Sequence, residues 1–243
     1  MLDAYRPLSL FVALWPTQEF EFPDETPEFA KRLREQFTQF NEHRVVQASG
    51  GTPLPSEMPR LGLMGERRQL VFELAPGKVM LRRMCGQARE ATMTLAALFE
   101  SHLSMLTGIQ AWLAENHNFR VYRIGVLTHL FCHTRASANE KIARYFLQPR
   151  VLHGETPHEL QLSMLSRPTL ADSGMVNRWL RVRPLRSADA RRVDFAAQIE
   201  LDYNTLPEDT RERTTRDVAR FMEAVQANIE EDVPLLDDPD FLA

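Results

Sequence analysis

The residues with the most chemical potential are few and far apart in the chain. Cys85 follows Arg82, Arg83 and Met84 just ahead of a helical pattern. A helix N-terminus and nearby cations would lower its thiol pKa toward a reactive thiolate. Cys132 falls on the apolar alternation of a strand pattern, where a cysteine acts as a small core residue. His102 lies on the apolar stripe of a long helical pattern. There it either makes an internal hydrogen bond or lines a pocket and transfers protons. His129 and His133 share one face of a strand pattern, but four residues along a strand span ~13 Å, too far for both to hold one metal ion. The segment 153–159 gathers His153, Glu155 and His158, residue types that bind zinc or iron. Its spacing matches no recognised ligand set, so the expectation is a solvated loop without a metal. No cofactor is implied either. GxSxG, GxxxxGK[ST] and GxGxxG are all absent, which leaves the hydrolase-elbow, Walker and Rossmann readings without a motif. Ser49-Gly50-Gly51-Thr52 offers only a small anion nest.

Two further stretches suggest binding rather than catalysis. Arg178, Arg181, Arg183, Arg186, Arg191 and Arg192 cluster around Trp179. Arginine with an exposed aromatic could track a nucleic-acid backbone and stack a base. Asp194, Glu200 and Asp202 sit on the expected partner strand, however, so cross-strand ion pairs absorb much of that charge. An exposed sheet face carrying Trp179 and Arg181 also suits a self-complementary homodimer. The last residues, 234–243, mix three aspartates with Leu235, Leu236, Phe241 and Leu242. That pattern reads as a frayed terminus, or as a short acidic-hydrophobic peptide that docks in a groove on another chain.

These residues need a scaffold, and the patterning supplies one. Leu8 to Trp15 is a short apolar run closed by Pro16, which predicts a buried strand. Thr26-Pro27 predicts an N-cap and first turn for a helix of about four turns bearing Phe29, Leu33, Phe37 and Phe40. Residues 48–59, with Gly50, Gly51, Pro53 and Pro55, predict a loop. Pro76-Gly77 predicts a type II turn between strands 69–75 and 78–83. A helix is expected over 87–116, a strand over 119–134, and a short helix from the capping box Ser137-Ala138-Asn139-Glu140. A strand at 159–165, a hairpin of 176–183 with 193–203, and a helix over 207–232 complete the order. Hairpin followed by long helix thus occurs twice.

The chain has 243 residues, enough for one large domain or two small ones, and its 44% hydrophobic content excludes disorder over most of its length. The net charge of −4 gives nucleic-acid binding no bulk support. Two cysteines make no disulfide framework, no secretory pattern opens the sequence, and no apolar run is long enough to span a membrane. The reading is an α+β protein with antiparallel sheets packed against long helices. It forms a single compact domain over 1–243, in two similar halves at about 1–118 and 119–233, with a tail at 234–243.

The hairpin LVFELAPGKVMLRR, the long helix after it, the NRW segment and the strand QIELDYNT before a closing helix resemble a sporadically distributed bacterial family of uncharacterised α+β proteins. The resemblance runs from about Leu8 to Val233. It implies a fold and no activity. The expected layout, curled antiparallel sheets with long helices, is also similar to that of SecB-type export chaperones. The leading functional expectation is a non-enzymatic cytoplasmic module that binds a protein partner through a sheet face or apolar groove. A hydrolase-like pocket enzyme using His102 or the His129/His133 face is the second. A nucleic-acid-binding module using the Arg178–Arg192 ribbon is the third.

Overall fold

The computed structural model describes residues 5–46, 54–85, 93–133, 138–146, 160–171, 173–184 and 196–232. The first half contains β1 (Tyr5–Pro16), α1 (Thr26–Gln36), β2 (Glu42–Val45), β3 (Leu61–Gly65), β4 (Leu70–Ala75), β5 (Lys78–Met84) and α2 (Leu95–His117). The second contains β6 (Val121–His133), α3 (Ala138–Phe146), β7 (Leu162–Ser166), β8 (Thr169–Leu170), β9 (Gly174–Pro184), β10 (Ala196–Thr205) and α4 (Thr215–Asp232). The fold is α+β, as the patterning predicts. The strands form one antiparallel sheet rather than separate sheets, in the order β2-β3-β4-β5-β1-β6-β10-β9-β7, with β8 beside β9.

The two long strands β1 and β6 pair at the centre, with Val12 opposite Val126. On either side the last strand of each half, β5 or β10, pairs with that half's first strand. A long helix follows each, and α2 packs on α4. The hairpin-then-helix order therefore repeats about the β1/β6 seam. Alternation along the strands decides which face is buried. Leu10, Val12 and Leu14 of β1 and Ile124, Val126 and Leu130 of β6 are buried, as are Ile199, Leu201 and Tyr203 of β10. They meet Leu98, Leu106 and Ile109 of α2 and Val218, Phe221 and Val225 of α4 in a single core to which α1 and α3 also contribute. Each such side chain contributes roughly 1.5–3 kcal/mol on leaving water.

Element boundaries differ from the expectation where a polar group overrides hydrophobic periodicity. α2 starts at Leu95 rather than 87, because the Thr94 hydroxyl caps it by accepting from the Ala97 amide at 3.2 Å. α4 starts at Thr215 rather than 207. Arg213 is held on the sheet by donating its amide to the Val121 carbonyl, and Thr214 with Asp217 forms the reciprocal cap. α1 stops at Gln36, so Phe37 and Phe40 pack from beyond its end. Thr26 is inside it, donating its hydroxyl to the Pro23 carbonyl, and Glu25 takes the cap position. β2 is mostly exposed, two of the five residues of β3 are glycine and β8 has two residues, so none carries a readable apolar alternation. Among the described residues no helix is long and apolar enough to cross a membrane.

Candidate functional site: the open face of the sheet

The four helices of the described residues contribute to the core on one side of the sheet, so the alternate residues of the described strands form the opposite face. Among the described residues that face carries half-exposed Phe11, Ala13 and Trp15 from β1, and Leu127 and His129 from β6. Its charge comes from Lys78 and Arg82 on β5, Arg123 on β6, and Arg181 and Arg183 on β9, opposed by Glu73, Glu200 and Asp202.

A polar row crosses its centre. The register places Ser9, His129, Glu200 and Arg181 on four adjacent strands as direct neighbours. Arg181 donates to one Glu200 oxygen, and His129 Nε2–H donates to the other at 3.1 Å. The Ser9 hydroxyl then donates to His129 Nδ1 at 2.7 Å. Burial pushes the Glu200 carboxyl upward, but the hydrogen bonds and charges of Arg181 and His129 outweigh it and hold the group below its usual range. Ser–His–Glu is the order of an acyl-transfer triad. Yet Ser9 is only 1% exposed, so no substrate carbonyl can reach its Oγ. The row ties four strands together and orients Arg181 and His129 at the surface.

Towards the other end of β1, Trp15 lies over Gly125. A Cβ there would stand 3.1 Å from the indole and 2.5 Å from Asn204 Oδ1, so glycine is what admits the ring. Arg123 lies 4.6 Å and Lys78 5.3 Å from the Trp15 ring centroid. Arg181 covers Trp179 in the same way at 5.1 Å.

The structure separates several residues that the sequence had grouped. Arg178 is not on the face of Arg181 and Arg183. It points toward the helices, donating to Ser166 Oγ at 2.9 Å and to Asn228 Oδ1 at 3.3 Å. The arginine ribbon is therefore split between two faces by strand alternation. Arg186, Arg191 and Arg192 lie outside the described residues, as do His153, Glu155 and His158, the Ser49–Thr52 nest, and Leu235, Leu236 and Phe241 of the tail. The His133 side chain is likewise not described. Cys85 is half-buried, and burial pushes its thiol up against the lowering effect of Arg83, the reverse of an activated thiolate. α2 begins ten residues further on, so Cys85 does not open it as the sequence pattern suggested. Cys132 is buried in the core as expected.

His102 is buried inside the fold and lines neither of the two cavities described below. Its Nδ1–H donates to the Leu98 carbonyl at 3.2 Å, and Nε2 has no hydrogen-bond partner. Burial, then the neighbouring Arg83 charge, lowers its pKa to about 4. Arg83 itself is buried and bonds Glu66 bidentately, with Ser101 beside it. Glu66 belongs to a turn in which Glu66, Arg67 and Arg68 all adopt left-handed backbone, with φ of 47°, 55° and 68°.

One grouping has no sequence signature. His117, the last residue of α2, is wedged edge-on against Phe29 at 4.8 Å and lies 5.3 Å from the Trp112 ring. Cavities of about 570 and 430 Å³ flank it, one walled by Glu19, Glu21 and Arg120, the other by Arg32 and Glu35. Apart from Trp112 and Arg120 beside it in the chain, its partners come from two distant stretches, 19–21 and 29–35, so spacing along the chain carries little trace of the grouping. Among the described residues no group of three or more His, Cys, Asp or Glu side chains can hold a metal ion. No family model and no curated protein matches the chain.

Proposed function

We propose that this protein is a non-enzymatic interaction module that binds an acidic, partly apolar surface of a protein partner across the open face of its sheet. One observation supports this reading above the others. Among the described residues a ten-stranded sheet has its helices on one side and presents a broad face of aromatics, Leu127, Met80 and Met84 on the other. Large contiguous apolar patches on a folded chain mark interaction sites, and methionine and aromatic residues are enriched at protein interfaces. Cations outnumber carboxylates on this face of a chain whose net charge is negative, which favours an acidic partner. Two cysteines in 243 residues make no disulfide framework, which fits a reducing compartment, and we place the interaction in the cytoplasm on that ground.

Nucleic acid fits less well. Base stacking needs a free ring, and both Trp15 and Trp179 are already covered by cations. Arg82 and Arg181 are paired with Glu73 and Glu200. A pocket enzyme fits less well still, because Ser9 and His102 are sealed from solvent.

The test is a photo-crosslinking residue at Phe11 or Leu127, compared with one at Glu223 on the exposed side of α4. The reading expects a discrete protein adduct from the sheet positions that survives nuclease and is reduced about tenfold by Arg123→Glu. Equal labelling from Glu223, or adducts lost to nuclease, would overturn it.

A further inference from the structure

Of the cations described on the open face, three are already engaged. Arg82 pairs with Glu73 at 3.9 Å, Arg181 pairs with Glu200, and Arg183 donates to Gln198 Oε1 at 3.1 Å. Lys78 and Arg123 differ. Among the described residues neither has a hydrogen bond or an ion pair, and both lie against the ring of Trp15. The Arg123 Nε–H is shielded from water and has no acceptor, a state that an incoming anion near the guanidinium relieves.

Register produces the arrangement. Trp15 of β1 faces Arg123 of β6, and Lys78 of β5 stands on its other side, one residue beyond the Leu14–Val79 pair. The three side chains form a row across adjacent strands, with the indole between two cations. Strand spacing of about 4.8 Å sets the two cation-bearing backbones roughly 10 Å apart, a gap that these long side chains close around one carboxylate. Two residues along the same face of β1 comes half-exposed Ala13, and two further on Phe11 beside its register partner Leu127. The small Ala13 leaves a step between Trp15 and the Phe11–Leu127 pair.

We infer that this row anchors an acidic residue of the protein partner, its side-chain carboxylate between Lys78 and Arg123 above Trp15. An apolar residue two positions along an extended partner segment then sits on Ala13 against Phe11 and Leu127, because two residues of extended chain span ~7 Å, the distance between those positions on β1. The inference rests on the interaction reading above and adds the partner's chemistry at one place. A polyanion suits the row less well than a single carboxylate. Glu73 and Asp202 lie on the same face, and Asp202 is close enough to feel the Arg123 charge.

The probe is the blocked peptide Ac-Thr-Glu-Thr-Leu-Thr-NH2, compared with its Gln-for-Glu isostere. NMR titrations of the full chain follow the Trp15 indole N–H. A saturable shift is expected with the Glu peptide, and about tenfold weaker binding with the Gln peptide. Lys78→Met with Arg123→Met should remove that difference. Arg44→Gln, a cation lost from exposed β2, should leave it in place. The comparison of the two peptides on the unaltered chain stands even if the double variant fails to fold. Equal binding of the two peptides, a Glu preference that survives the double variant, or no saturable shift at Trp15 each overturns the inference. So does stronger binding by oligothymidylate. So does a chain ending at Val233 that binds the Glu peptide tenfold more tightly, which would give the row to the chain's own acidic tail. A protein adduct from Phe11 that persists undiminished in the double variant removes this anchor while leaving the interaction itself in place.

Discussion

His102 shows how one buried side chain sets a pH response. In the folded chain its pKa is lowered to about 4 by burial and by Arg83, while the unfolded chain keeps a value near 6.5. Between those values the unfolded state binds more protons, so stability falls as pH drops from about 6.5 to about 4 and is flat above. The full effect is roughly 3 kcal/mol. His102→Met should flatten that limb, as read by urea midpoints across the pH range. Glu200 acts further down the scale. Its folded pKa is depressed, so its contribution is present above the unfolded value and disappears as pH falls through the folded one. Gly125 makes a different kind of demand, for space. Gly125→Ala should cost about 1–3 kcal/mol by forcing Trp15 and Asn204 aside, and a shift in Trp15 fluorescence should accompany the loss.

At the scale of elements, the turn between β3 and β4 stores strain. Three successive non-glycine residues in left-handed backbone carry a cost of roughly 1–2 kcal/mol each. The bidentate Glu66–Arg83 pair offsets part of it by satisfying a guanidinium that is otherwise buried. Arg67 makes no such contact and is exposed. Arg67→Gly should therefore stabilise the protein by about 1 kcal/mol. Glu66→Ala should destabilise it by about 2 kcal/mol, less than for a fully buried pair because Glu66 is half in solvent. Thermal denaturation of both variants distinguishes a strained turn held by an ion pair from a neutral one.

At the scale of the whole molecule, the separation of helices from the open face governs behaviour. Five cations on that face invite comparison with a nucleic-acid surface, yet most are engaged by carboxylates or rings. Arg181→Ala with Arg183→Ala should leave retention on heparin nearly unchanged at any salt concentration, whereas phosphate binding would make it fall steeply with salt. The same double change should destabilise the fold modestly, by about 1 kcal/mol, because Glu200 loses its arginine partner.

Local chemistry made much of this legible from the sequence. The Pro76-Gly77 turn, the clean alternation of Ile199, Leu201 and Tyr203, and the apolar stripe around His102 each depend on a residue and its near neighbours. They predict the β4–β5 hairpin, the buried face of β10 and the burial of His102, all of which the structure contains, although Gly77 lacks the positive φ that the expected type II turn requires. What the sequence could not contain is any pairing across strands. Ser9 and His129 are 120 residues apart, and the register that joins them through to Glu200 and Arg181 is set by the antiparallel order of the sheet. Alternation in β9 likewise turned Arg178 away from Arg181, although the two look adjacent in a list of arginines. Periodicity tells which residues share a face. Only the tertiary structure decides which faces meet, because hydrogen-bond register between distant strands is fixed by the packing of the whole core.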